Sequence, residues 1–152
     1  MFNYLFMGIF SIGVLTSCTT KNIDLLSKES LYKQGLENTR IKTILYNDKV
    51  QGVLNITYLN PTNPKLYDEK YNEFLIGIYL DEQKGIFTLS LNNKNYVSRE
   101  LLKENSKLYK NIPSYNPYSK YYIFKFEKDK SEKAILNFKY KKSNTSIEFK
   151  TF

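Results

Sequence analysis

The chain has 152 residues, a formal net charge of +8 at neutral pH, and 16% of its residues are Phe or Tyr. It has no histidine, no tryptophan and a single cysteine, which excludes His-dependent acid–base and nucleophilic chemistry, the usual zinc sites and an internal disulfide. Of its 23 basic residues all but Arg40 and Arg99 are lysine, so the side chain best suited to bidentate phosphate and base contacts is scarce, and nucleic acid is not an expected partner.

The chain opens MFNYLFMGIFSIGVLTSCTTK, and no charged side chain precedes Lys21. The apolar run from Tyr4 to Leu15 would rise only about 18 Å as a helix, short of a bilayer core of about 30 Å. That length suits the apolar core of a secretory signal. The run ends in Leu15-Thr16-Ser17-Cys18. This tetrapeptide resembles the lipobox of bacterial lipoproteins: an aliphatic residue, two small ones, then cysteine. The resemblance covers the leader alone, and the absence of Lys or Arg from Met1 to Tyr4 departs from the usual pattern. It implies that a signal peptidase recognises Leu15, Thr16 and Ser17, that residues 1–17 are removed, and that Cys18 carries diacylglycerol and an acylated amino group. Three acyl chains, at about 0.8 kcal/mol per buried CH₂, would anchor the chain permanently. Thr19 and Thr20 lack the aspartate that retains enteric lipoproteins at the inner membrane. The expected location is therefore the outer membrane, facing periplasm or cell surface, with no cofactor beyond the covalent lipid.

Residues 18–39 form a spacer. Leu25, Tyr32 and Leu36 share a helical face, which predicts a short helix over 24–36; a flexible tether is the alternative. From Arg40 the period becomes two. RIKTILYN and VLNITYLN flank the turn stretch NDKVQG and predict a hairpin, and Pro61 and Pro64 close it. FLIGIYL (74–80) is the most apolar run and predicts a central strand, and IFTLSL (86–91) returns after DEQKG. In SRELLKENSKLYK, Ser98 is a candidate cap for one or two helical turns, before Pro113 and Pro117 forbid regular structure. YYIFKFE, AILNFKY and SIEFKTF complete seven strands, joined by short charged connectors.

Such short connections force antiparallel pairing. The expected domain, over residues 40–152, is mainly β: a two-sheet sandwich of Ig-like architecture, with a small β-barrel or an α+β sheet as alternatives. The residues bearing candidate chemistry are few. Asp68, Glu69 and Glu73 precede the central strand beside Lys65 and Lys70, which reads as a solvated loop rather than a carboxylate pair or metal site. Asn55 and Asn144 begin sequons that chance explains. Tyr109, Lys110, Tyr115, Tyr118 and Lys120 form a candidate binding loop, since interleaved tyrosines and lysines stack on sugars or anchor protein interfaces. The alternative is that these tyrosines cover the sandwich edge.

The sequence thus predicts a non-enzymatic, lipid-anchored envelope module that binds another envelope protein or an anionic glycan or lipid through its loops. A structural component recruited by β-augmentation, and a carboxylate-dependent glycan hydrolase, are the alternatives. The surplus of lysine has two readings, attraction to anionic envelope polymers or the codon bias of an AT-rich genome.

Overall fold

The computed structural model describes residues 32–62, 67–82, 85–105, 108 and 112–151. The signal segment, Cys18, most of the predicted 24–36 helix, and the loop residues Tyr109 and Lys110 lie outside the described residues. One short helix spans 32–37. It ends where the Asn38 side-chain amide donates to Gln34 O (2.9 Å) and the Thr39 hydroxyl to Gly35 O (2.6 Å), which satisfies carbonyls the terminating helix would orphan.

β1 (Thr39–Tyr46) turns directly into β2 (Lys49–Tyr58). Only Asn47 and Asp48 lie between them, with φ of 49° and 60°, the left-handed pair a two-residue hairpin demands and Asn and Asp tolerate. The turn is therefore shorter than NDKVQG predicts. Gly52 lies inside β2, after a bulge that leaves Gln51 without a partner on β1. β3 (Tyr71–Leu80), β4 (Phe87–Leu91), β5 (Lys94–Asn95), β6 (Ser98–Leu101), β7 (Lys120–Glu127), β8 (Lys133–Tyr140) and β9 (Ser143–Lys150) follow.

The strands form two antiparallel sheets, β1-β2-β3-β7-β6 and β5-β4-β8-β9, not closed into a barrel. This is the two-sheet sandwich the alternation predicts, with nine strands described rather than seven. β5 and β6 are the additions. β6 also corrects the expected helical turns after Ser98. Ser98 to Leu101 pair with Lys125 to Tyr122, so the backbone of this segment is satisfied by the exposed edge of β7 rather than by a helix.

Alternation sends one face of each strand inward. Tyr58, Phe74, Phe126 and Phe149 meet between the sheets, with Phe74 stacked on Tyr58 at 4.8 Å and edge-on to Phe126 and Phe149 at 5.9 and 5.4 Å. Such contacts add to the burial of the rings themselves. The Tyr58 hydroxyl donates to Asn72 Oδ1 (2.7 Å), and burial pushes its pKa up to about 12. In β1 both faces carry apolar residues, and the structure commits only Ile44 to the core, leaving Ile41 and Leu45 exposed.

A second, smaller core lies on the outer face of the five-stranded sheet, where Ile112 packs with Leu59, Leu75 and Tyr121. Buried Asn55 clamps this covering segment by donating from Nδ2 to Pro113 O (2.9 Å) and Ser114 O (2.5 Å). The Tyr121 ring lies flat across Gly77, where any Cβ would overlap it. Gly77→Ala should accordingly cost about 1–3 kcal/mol of stability, the usual range for overpacking, read as a lowered urea midpoint with unchanged slope. A neutral result would mean that the Tyr121 ring does not occupy this position.

Candidate functional site: a cationic, aromatic slot

The two sheets are unequal. β5 is two residues long, so it shields little of the inner side of β7 and β6. Tyr96 covers part of the deficit by setting its ring edge-on to Phe124 (5.2 Å) and Phe126 (6.4 Å). Farther along, Arg99, Leu101 and Lys120 remain exposed, although their register turns them to the same side as the core residue Phe124. The result is an open slot of about 370 Å³.

Its floor is apolar: Ile78 and Leu80 from the end of β3, Phe87 from the start of β4, and Tyr122 from β7. Phe87 is fixed by stacking on Phe138 at 5.2 Å. Tyr118, 79% exposed, forms part of the rim, and Tyr79 contributes to the lining from the strand position between Ile78 and Leu80, its side chain alternating to the other face of the sheet. Two cations complete the lining. The Arg99 guanidinium sits 5.4 Å from the centroid of the Tyr122 ring, and Lys120 stands opposite Ile78 in the β3–β7 ladder. Among the described residues no carboxylate lies within 4.0 Å of either cationic head, and none lines the slot.

The candidate binding-loop residues divide between two places. Tyr118 and Lys120 line the slot. Tyr115 instead stacks on Tyr121 at 5.6 Å, and Tyr121 accepts a hydrogen bond from Asn116 N (2.7 Å), so this pair belongs to the covering segment. Arg99 is the residue sequence reasoning missed. Its one sequence signal was its rarity among the lysines; its place beside Tyr122 follows from the β6–β7 register.

The acidic residues lie elsewhere. Buried Glu73 pairs with Lys125 at 2.9 Å, whereas Asp68 accepts from Lys70 N (2.9 Å) within its own turn. No cluster of three metal-ligating side chains is present among the described residues. A second charged group braces the slot from outside. Asp81, one residue beyond Leu80, accepts from the Tyr140 hydroxyl (2.8 Å) and from Lys141 Nζ (3.1 Å). Lys141 also pairs with Glu82 at 2.8 Å. This ties the end of β3 to the β8–β9 turn, while Gly85 packs so closely on the Tyr140 ring that a side chain there would overlap it.

The chain matches no known protein family, no curated protein and no solved structure.

The hydrogen bond from Tyr140, reinforced by Lys141, holds the Asp81 carboxyl below its ordinary pKa. A depressed folded-state pKa contributes stability above the unfolded value, about 3.9, and loses it as pH falls through the folded value. Asp81→Asn should therefore be less stable than the parent at neutral pH, and the difference should shrink on acidification below about pH 4. Urea midpoints measured across that range check this. A difference independent of pH would remove the ionised carboxylate from the account.

Proposed function

We propose that the protein is a lipid-anchored, non-enzymatic envelope module whose sandwich binds an anionic envelope component in the slot between its sheets. The observation carrying this reading is the pair Arg99 and Lys120, two cations that share an aromatic-walled cavity and have no carboxylate partner among the described residues. Unpaired positive charge beside aromatic faces favours a ligand that brings both an oxyanion and a flat apolar surface.

The two alternatives fit less well. Glycan hydrolysis by paired carboxylates would need Glu73 free of Lys125. Strand addition would most readily use a long edge, but β1 and β9 lean on each other, with Ser143 Oγ donating to Leu45 O (2.9 Å) and Arg40 lying 5.8 Å over the Phe149 ring. The remaining edges, β5 and β6, are short, as aggregation-resistant edges commonly are.

Two measurements test the proposal. In a bacterial host, Cys18→Ala should accumulate as a precursor that incorporates no labelled fatty acid; labelling that persists would refute the anchor. The full lipidated chain in detergent should capture acidic envelope polysaccharide, and capture should fall as salt is raised beyond about 0.15 M, where the screening length is about 8 Å. Salt-independent capture would refute a cationic site.

A further inference from the structure

We propose that the slot accepts one acidic sugar ring, a pyranose bearing a carboxylate or phosphate; this rests on the reading of the slot as an anion-binding site. Size comes first. At about 370 Å³ the cavity lies at the small end of the roughly 300–1,000 Å³ typical of small-molecule pockets. It has room for a compact cyclic group.

The walls narrow the chemistry further. The apolar floor of Leu80, Phe87 and Tyr122 suits the C–H face of a sugar. Tyr118 adds a hydroxyl that can donate to or accept from the alcohols of such a ring. Tyr118 is too exposed to serve the core. It is placed instead as a movable aromatic cover over a ring seated below. A wholly apolar ligand would make no use of the two cations, which an oxyanion engages directly.

The two cations play different parts. Arg99 lies beside the Tyr122 ring, a contact that limits the orientations open to the guanidinium. An oriented guanidinium presents a planar fork of N–H donors that fits two oxygens of one oxyanion. Lys120 is a flexible point charge on the neighbouring strand and can follow the anion wherever the ring places it. Because no described residue of the slot lining is a carboxylate, the site favours acidic over neutral sugars by charge as well as by contact.

Titration of the full chain in a polyoxyethylene detergent, which adds no competing sugar, provides the test. The probes are glucuronate, glucose 6-phosphate, glucose and inorganic phosphate, with binding followed by calorimetry or NMR shifts. Glucuronate or glucose 6-phosphate should bind at least about tenfold tighter than either glucose or inorganic phosphate, since each of the latter supplies half of the recognition. Arg99→Gln and Lys120→Gln should each weaken the acidic sugar about tenfold and leave glucose unchanged. Tyr118→Ala should weaken acidic and neutral sugar alike. All three positions are exposed, so circular dichroism should remain that of the parent, and Lys139→Gln, an exposed position on β8 that does not line the slot, should bind as the parent does.

Glucose binding as tightly as glucuronate would overturn the acidic selectivity, and phosphate binding as tightly as the sugar phosphate would overturn the ring. If no monosaccharide binds but acidic polysaccharide is still captured and Arg99→Gln abolishes capture, the single-ring inference falls and the binding-module reading stands. If the polysaccharide is not captured either, both fall.

Discussion

The structure depends on an interlock of aromatic rings between two sheets. With no disulfide available, burial must hold the sheets together, and Tyr58, Phe74, Phe126 and Phe149 form the contact that spans them. Three of these rings belong to the five-stranded sheet and Phe149 to its partner, on strands far apart in sequence. The hydroxyl of Tyr58 enters this core without penalty because Asn72, itself buried, accepts from it. A buried polar pair of this kind costs little while complete and would be expensive if either partner were lost. Every other feature of the domain is attached to that interlock.

Geometry then produces the slot as a consequence of unequal width. One sheet has five described strands and the other four, of which β5 is only two residues long. Side chains of β6 and early β7 point toward a facing layer that does not reach them. An uncovered inner face would ordinarily be filled by apolar residues from a loop, as Ile112 fills the outer face of the same sheet. Here the chain instead places Arg99 and Lys120 beside Tyr122. Long cationic side chains keep their heads solvated while their stems cover ring surface, which reduces the apolar area the open cavity shows to water.

The sequence made most of this architecture legible, for a physical reason. The strands that carry the core alternate cleanly, as in YYIFKFE and AILNFKY, because one face of each is buried and the other is wet. Legibility failed where local chemistry and tertiary demand disagree. SREL contains good helix formers, yet it is a strand because β7 offers an unpaired edge, and no local pattern announces a partner more than twenty residues away. In TRIKTILY apolar residues occupy both parities, so the inward face is decided by register with β2 rather than by alternation. The site was half legible for the same reason. Tyr118 and Lys120 are close in sequence and were visible as a cluster, whereas Arg99 reaches them only through pairing of β6 with β7. Tyr115, which belongs to that cluster in sequence, turns away to stack on Tyr121.

Charge alone does not single out the slot, because lysine is spread across the whole surface. Three lysines are matched, Lys125 with Glu73, Lys133 with Glu148, and Lys141 with Asp81 and Glu82, while many other described lysines have no carboxylate within 4.0 Å. What sets Arg99 and Lys120 apart is that they line one cavity together with Leu80, Phe87 and Tyr122. A cavity holding one small ring binds weakly by itself, since few contacts must offset the loss of translational freedom. On the proposed reading, polymeric acidic glycan would change that balance. A domain held at a surface by lipid would meet many equivalent rings at high local concentration, and repeated weak capture by neighbouring copies would give retention that no single site supplies.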